Sequence, residues 1–362
     1  MQSVVKSKAR FFSIDLTRGL AMCLIILFHS VGLLAIPFSS SASFVVLKIG
    51  NLGIPMFTII SGLMLGYFLH AHDRRSVTNR RYVRRGVLLL MGIHFLNAVG
   101  VYPFYMEGST FLHSLIFRWF ITDTLGLIFL LTPLMGRLDA KYRLLLGVVM
   151  LVAWKPLDMV ITTESNAMLL FREIVFGVHE DEVQILDYLL PFFPIMGIFL
   201  VGTFIGDRFA ASLEEGRVKR FIWSMVWVAV SMMCLFLFLT GVWFALRTDL
   251  VGLRNQFLQN LLYQDRFYSL LPFYLSACIG VFGAIAYTVE VKKLNGRALE
   301  WIAIFGRTTL STYVAQYYVV QGIPSLLGWK HNLTLTQWAG AVIIMFLILQ
   351  LLARGVEFIY RK

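Results

Sequence analysis

The sequence has little charge for its length: 14% of its 362 residues are Asp, Glu, Lys or Arg, whereas 58% are hydrophobic. A soluble domain usually has about a quarter of its residues charged, so this composition excludes an ordinary soluble globular protein. The mean hydropathy of +0.76 is typical of an integral membrane protein that crosses the bilayer several times.

Cysteine is also scarce. Cys23, Cys234 and Cys278 stand alone within apolar segments, and their spacing fits neither a metal site nor a redox motif. We therefore expect small core residues at these three positions, and nothing in the sequence requires a metal.

Acidic residues are fewer than basic ones, 20 against 32, which gives a net charge of +12. Such an excess can indicate a nucleic-acid partner. Here the basic residues gather between apolar segments, as they do in the cytoplasmic loops of membrane proteins. The charge therefore predicts membrane topology, and we expect no nucleic-acid partner.

Long polar stretches are absent, and the longest connection between apolar runs, from about 162 to 186, is too short to bury a core of its own. Apolar runs long enough to cross about 30 Å of hydrocarbon number ten. They lie near residues 14–36, 45–69, 86–105, 114–136, 143–161, 187–206, 221–246, 267–289, 301–328 and 335–358. The sequence predicts a single all-α polytopic membrane domain over residues 1–362.

Lys and Arg alternate between the two sides of these ten spans when the N-terminus is placed in the cytoplasm. An odd number of spans would spoil this alternation. We therefore predict about ten transmembrane helices with both termini cytoplasmic.

Two polar residues stand out in the first span. Arg18 and His29 are eleven residues apart in an otherwise apolar run, so a helix places them on nearly one face, about 16 Å apart along its axis. Ionisable groups at membrane depth usually line a cavity or a pathway. This pair predicts a site that handles protons.

Several motifs support a family resemblance. The Arg18 to His29 spacing resembles the Arg-X10-His signature of the transmembrane acyltransferase superfamily, above all the acyltransferase-3 family. Residues 54–62, Ile-Pro-Met-Phe-Thr-Ile-Ile-Ser-Gly, resemble that family's Pro-x-Phe-Phe-x-x-Ser-Gly segment, and Arg81-Tyr-Val-Arg84 matches its Arg-x-x-Arg motif.

The late segment 305–316 is similar to the family's Gly-x-x-Ser-x-Tyr-x-x-Tyr-x-x-His stretch, but Gln316 stands about where many members have His. Residues 186–197 and 119–125 look more like the relatives that include heparan-glucosaminide N-acetyltransferase. The motifs follow one another in the same order as in the family, and together they span most of the chain.

The resemblance implies an acyltransferase of the bacterial inner (plasma) membrane. It would move an acyl group, with acetyl favoured, from cytoplasmic acyl-CoA to a glycan or lipid-linked sugar outside, by O- or N-acylation. His29 would be the general base, because a neutral histidine can accept the proton of an attacking hydroxyl near pH 7. Arg18 would bind donor phosphate or pair with Asp15, and that ion pair could instead only fix the depth of the helix.

Arginines between the second and third spans are the candidate donor site. Guanidinium groups three or four residues apart share a helix face and bind phosphate in a bidentate manner, which favours Arg80, Arg81, Arg84 and Arg85, above all Arg81 with Arg84. Positive-inside bias alone is an equally good explanation. Ser61 lies near the expected donor tunnel, where Ser61 and Gly62 would more readily allow close helix approach than supply a nucleophile.

Polar residues of the later spans are candidates for the acceptor site. Asp123 could bind the sugar, orient a histidine or pair with an arginine, and Tyr313 and Gln316 belong to a polar stripe of span 9. Residue His94 has no motif around it and is expected in the core. The acidic loop near 164–182 could be an acceptor lid or a solvated segment.

A secondary transporter or a lipid or glycan flippase is the alternative function. It would also have many spans with polar groups inside, but internal repeats and broken helices would be expected, and we find no repeat between the two halves. A noncatalytic assembly subunit would not require the Arg18 and His29 register. The sequence carries no signal for oligomeric state.

Overall fold

The computed structural model describes residues 11–35, 41–70, 75–106, 110–161, 165–177, 191–245, 271–294 and 296–361. Within these ranges the chain is helical, and its only β-type pairing is an isolated parallel bridge between Leu34 and Leu333. The structure thus confirms the predicted all-α class.

The first half of the chain forms ten helices. They are α1 (Phe12–Ser30), α2 (Ser41–Gly50), α3 (Gly53–His70), α4 (Arg75–Leu88), α5 (His94–Tyr105), α6 (Phe111–Ile116), α7 (Ile121–Leu130), α8 (Thr132–Met135), α9 (Ala140–Val160) and α10 (Asn166–Phe176). A 3-10 turn (Val31–Leu33) follows α1, and a π-helical segment (Leu89–Ile93) joins α4 to α5 without a break.

The described remainder adds seven α-helices. They are α11 (Phe192–Glu214), α12 (Val218–Ala245), α13 (Leu271–Ala286), α14 (Arg297–Arg307), α15 (Thr309–Gln316), α16 (Ile323–Leu326) and α17 (Leu335–Arg361). π-Helical segments follow α13 (Tyr287–Val291) and α15 (Tyr317–Gly322). Such segments are uncommon and often occur at functional sites.

Seven helical segments among the described residues are long and apolar enough to cross a membrane. They correspond to seven of the ten predicted spans, so a multi-pass membrane protein is supported, whereas the number ten and the sides of the termini stay predictions. The predicted span 143–161 is one continuous helix, α9.

The other two predicted spans are broken. Span 114–136 consists of α6, α7 and α8, with non-helical residues between Ile116 and Ile121. Span 301–328 is interrupted at Thr308, which has φ −108° and ψ 25°, between α14 and α15. Hydropathy alone does not register such a local change of backbone conformation.

Helix α1 lies in the middle of the molecule, where it contacts α2, α3, α13, α14 and α15. Its closest neighbour is α14. A Cβ atom added at Gly306 would lie 1.8 Å from the carbonyl oxygen of Asp15, and one added at Gly19 would lie 1.9 Å from that of Ile302. These two glycines bring the backbones of α1 and α14 into direct contact and fix the position of the Arg18 face.

Helices α3 and α11 meet through glycines four residues apart on both helices. An added Cβ at Gly62 or Gly66 would lie 2.1 or 1.9 Å from a carbonyl oxygen of α11, and one at Gly202 or Gly206 would lie 2.3 or 1.9 Å from a carbonyl oxygen of α3. Small residues at this spacing allow close packing of membrane helices. No larger residue fits without separating the two helices.

We therefore expect Gly66→Leu to lower the melting temperature of the purified protein sharply, since overpacking costs about 1–3 kcal/mol or more. Gly340→Leu is the matched control, because a Cβ added at Gly340, on α17, meets no atom within 4 Å. Fluorescence-detected thermal unfolding in detergent measures both variants. Equal melting temperatures for the two would show that the contact between α3 and α11 is not close.

Candidate functional site

Helix α1 carries Asp15, Arg18 and His29. Asp15 is buried in the first turn, where its backbone packs on Gly306, and Arg18 is partly buried one turn later. His29 is the penultimate residue of the helix and is also partly buried. The structure thus places Arg18 and His29 towards opposite ends of one helix, and the proposed ion pair between Asp15 and Arg18 stays a prediction.

His29 is held by Gln316. The Nδ1 atom of His29 lies 2.9 Å from Oε1 of Gln316, whose side chain is fully buried at the end of α15. A carbonyl oxygen only accepts hydrogen bonds, so Nδ1 carries the proton and donates it. The lone pair of the neutral imidazole is then on Nε2, which is the arrangement that a general base needs.

Two tyrosines pack beside this histidine. The rings of Tyr317 and His29 have centroids 5.2 Å apart, and the hydroxyl oxygens of Tyr313 and Tyr317 are 2.7 Å apart. One hydroxyl donates to the other in such a pair, so the second O–H proton stays available for another acceptor. Both side chains are buried. The predicted polar stripe therefore faces the interior at Tyr313, Gln316 and Tyr317.

A second histidine lies on the other side of Tyr317. The Tyr317 ring contacts that of Phe120 with centroids 5.3 Å apart, and Phe120 contacts His94 at 5.6 Å. Nδ1 of His94 lies 2.9 Å from Oδ2 of Asp123, and Nε2 lies 2.7 Å from the carbonyl oxygen of Leu115. Both ring nitrogens are engaged, so His94 is not poised as a base. It clamps α5 to the break between α6 and α7.

Asp123, on α7, also binds the non-helical segment between α6 and α7, because its Oδ2 atom accepts a hydrogen bond from the backbone N–H of Phe120, at 2.8 Å. Of the roles that the sequence left open for Asp123, the structure places it against a histidine. Arg118, in the break before α7, has its guanidinium carbon 3.5 Å from the centroid of the Tyr105 ring.

Four buried polar atoms around these residues have no hydrogen-bond partner among the described residues. They are Oδ1 of Asn97, Oδ1 of Asp123, Nε2 of Gln316 and Oε1 of Gln321. Each side chain is at most 6% exposed. Buried polar groups are nearly always paired, so this set of atoms is a candidate to bind water or a ligand. It comprises three acceptors and one donor.

The arginines of α4 lie at the opposite end of α1 from His29. Arg80, Arg81, Arg84 and Arg85 are all exposed. The buried Tyr82 lies between them, within electrostatic range of Arg18, Arg81 and Arg85. Tyr82 therefore lies near the Arg18 end of α1, and the preference for Arg81 with Arg84 as the phosphate-binding pair stays a prediction.

Ser61 is buried within α3, and its hydroxyl donates to the carbonyl oxygen of Phe57 at 2.8 Å. This bond uses the proton of the hydroxyl within its own helix. The adjacent Gly62 provides the close contact with α11 described above, as the sequence led us to expect.

Arg307, the last residue of α14, forms ion pairs with Glu300 and with Glu357, whose Oε1 lies 2.6 Å from the arginine Nε. The acidic loop is described only in part. Its segment 166–176 forms α10, in which Arg172 pairs with Asp158 at 3.0 Å and Glu173 is buried. Residues 162–164 and 178–190, with most of the predicted acidic lid, lie outside the described residues.

The sequence gives no functional prediction for Asn97 or for His94, and it does not predict the contact between Tyr317 and His29. Asn97 donates from Nδ2 to Oγ1 of Thr122 at 3.1 Å, and its other amide atom belongs to the unpaired cluster. The sequence signal for all three was only a polar or aromatic residue in an apolar run. No local pattern indicates which of them face α1.

No match was found among the curated proteins. The model of a family described as an acyltransferase domain matches residues 11–354, which is nearly the whole chain and includes both ends of α1. The described residues contain no cluster of His, Cys, Asp and Glu that could hold a metal ion. The chain belongs to the acyltransferase-3 family of membrane acyltransferases.

Proposed function

We propose that the protein transfers an acetyl group from cytoplasmic acetyl-CoA to a hydroxyl of an extracytoplasmic glycan or lipid-linked sugar, with His29 as the general base. The observation that carries the proposal is the 2.9 Å contact between His29 Nδ1 and Gln316 Oε1. This contact favours the tautomer with a basic Nε2, and the chain belongs to a family of acyltransferases. We take a hydroxyl as the acceptor group, since its low acidity makes a general base necessary for attack near pH 7.

The donor would bind at the Arg18 end of α1. With the N-terminus in the cytoplasm, the arginines of α4, above all Arg81 and Arg84, would bind the phosphates of coenzyme A near that end, since their guanidinium groups are exposed. About 16 Å separates Arg18 from His29 along the helix. The extended pantetheine arm would cover this distance and bring the thioester to the imidazole.

The donor, the acceptor hydroxyl and His29 together account for every bond and proton of the proposed reaction. The acceptor O–H proton moves to Nε2 of His29 while the oxygen attacks the thioester carbonyl carbon. The tetrahedral intermediate then collapses, the C–S bond breaks, and the thiolate sulfur takes the proton from His29. The free hydroxyl proton of the Tyr313 and Tyr317 pair would stabilise the oxyanion, because this pair lies beside His29.

The unpaired atoms of Asn97, Asp123, Gln316 and Gln321 would hold the acceptor. They supply both acceptors and a donor, which complements sugar hydroxyls, since each hydroxyl donates one hydrogen bond and accepts others. They lie on α5, α7, α15 and the π-helical segment after α15. The acceptor would thus approach His29 from the side opposite to the donor.

Sided membrane vesicles test the proposal. Inside-out bacterial inner-membrane vesicles that contain the protein should incorporate radiolabel from acetyl-CoA into glycan or lipid-linked sugar, whereas intact right-side-out vesicles should not. Vesicles without the protein are the control. Absence of protein-dependent label in the inside-out vesicles would contradict acetyl transfer, and equal labelling in both preparations would contradict the proposed orientation.

Removal of donor-site arginines should weaken donor binding without loss of catalysis. We expect Arg81→Ala and Arg84→Ala each to raise the KM for acetyl-CoA about tenfold, since a charged hydrogen bond to phosphate contributes about 1.5–3 kcal/mol. The kcat should change little. Arg220→Ala, which removes an exposed arginine at the start of α12, is the matched control. An unchanged KM in both α4 variants would assign these arginines to membrane topology alone.

Transport is the second candidate, because the two broken segments at 114–136 and 301–328 are of a kind that transporters use. Family membership favours acyl transfer instead. Proteoliposomes separate the two functions. Transport predicts protein-dependent flux of an intact acceptor without consumption of acetyl-CoA, whereas our proposal predicts release of free coenzyme A in step with acceptor labelling.

A further inference from the structure

A cavity of about 660 Å³ lies away from the proposed active site, at the end of the molecule where α1 begins. Its walls come from α1, the π-helical segment after α13, the start of α14 and the end of α17. Phe12 contributes the wall from α1. Arg18 follows six residues later and points about 120° away around the helix, so the cavity is separate from the donor path.

The carboxylates that line the cavity are already engaged. Glu290 accepts a hydrogen bond from the hydroxyl of Ser13 at 2.8 Å. Glu300 forms an ion pair with Arg307, which Glu357 also contacts. These bonds direct both carboxylates towards groups of the protein itself.

The cations of the cavity are not engaged in this way. Lys293, Arg297 and Arg354 are exposed, and none of the three forms an ion pair with a described residue. Arg354 lies over the ring of Trp301, with its guanidinium carbon 5.0 Å from the ring centroid. Lys293 has φ 55°, a strained conformation for a residue with a side chain, of the kind that often occurs where a ligand is held.

Lipid-facing residues continue from the cavity along α17. Leu351 is 69% and Phe358 61% exposed, on either side of Arg354. Trp301 is itself 41% exposed, as is typical of an aromatic residue at a membrane boundary. A ligand in the cavity would therefore have its head near the three cations and an apolar surface beside it.

We propose that this cavity binds one anionic phospholipid of the cytoplasmic leaflet by its phosphodiester group. Three cations and two carboxylates give the lining a net charge of +1, which complements the single negative charge of a phosphodiester. Arg297 and Arg354 bind the phosphate oxygens, Lys293 closes the site, and the acyl chains lie along α17. The bound lipid holds the start of α1 against α14 and α17.

Native mass spectrometry of the delipidated protein tests this site. On titration with phosphatidylglycerol, the wild type should bind one molecule more tightly than it binds phosphatidylcholine. In Arg297→Gln and Arg354→Gln, the affinity for phosphatidylglycerol should fall about fivefold for each charge removed. Arg220→Gln is the matched control and should retain wild-type binding. Monodisperse size-exclusion profiles establish that the variants are folded.

Coenzyme A distinguishes a lipid site from a donor site. Free coenzyme A should not displace phosphatidylglycerol, and its own binding should be unchanged in the Arg297→Gln, Arg354→Gln double variant. Displacement of the lipid by coenzyme A, or loss of coenzyme A binding in the double variant, would reassign the cavity to the acyl donor. Equal binding of phosphatidylglycerol by the wild type and the double variant would overturn the proposal.

Discussion

His29→Ala is expected to lower the rate of acetyl transfer about a thousandfold, because a general base contributes about 10²–10⁴ to the rate. The substitution removes the Nε2 lone pair that would take the proton of the acceptor, and no described base replaces it: both nitrogens of His94 are engaged by Asp123 and Leu115. The KM for acetyl-CoA should stay close to that of the wild type, since in our proposal the donor phosphates bind at the other end of α1.

The measurement is single-turnover transfer of radiolabelled acetyl in proteoliposomes, together with equilibrium binding of acetyl-CoA. His113→Ala is the control, because His113 lies on α6 and outside the proposed site. Transfer at the wild-type rate by a well-folded His29→Ala variant would exclude this histidine as the base. A loss of donor binding equal to the loss of transfer would indicate a structural role instead.

The arrangement along α1 could be predicted from the sequence because it depends on one helix. Eleven residues bring Arg18 and His29 back to the same face of any α-helix, whatever surrounds it. The close contact at Gly62 was predictable for a similar reason: a small residue in an apolar helix allows another backbone to approach. The structure adds the partner, α11, which carries glycines at the same spacing.

The surroundings of His29 depend on contacts between distant parts of the chain. Gln316 is 287 residues away from the histidine it orients, and the sequence showed only a departure from the usual motif there. The break at Thr308 separates α14 from α15. The helical period counted from residue 301 therefore does not predict the direction in which the side chain of residue 316 points. Likewise, only the fold brings His94 of α5 to Asp123 of α7.

Gln316 therefore acts as a positioning residue in our proposal. Its replacement should cause a large part of the rate loss that we expect when His29 is removed. We expect Gln316→Leu to lower kcat about a hundredfold, because the imidazole then loses the acceptor that keeps its proton on Nδ1 and its ring in place. The KM for acetyl-CoA should be nearly unchanged. Gln316→Glu should restore part of the activity, since a carboxylate oxygen also accepts the Nδ1 proton.

Gln350→Leu is the control for loss of a buried amide. Gln350 is 1% exposed and donates to the carbonyl oxygen of Trp301, away from His29, so this variant should lose stability but keep kcat. Steady-state kinetics and thermal unfolding of the three variants distinguish orientation from packing. If Gln316→Leu and Gln350→Leu had the same kcat, or if Gln316→Glu were as slow as Gln316→Leu, the hydrogen bond would not set the tautomer of His29. We expect a higher kcat for Gln316→Glu than for Gln316→Leu, and we expect the melting temperatures of the variants not to follow this order. That result would tie catalysis to a proton held on Nδ1.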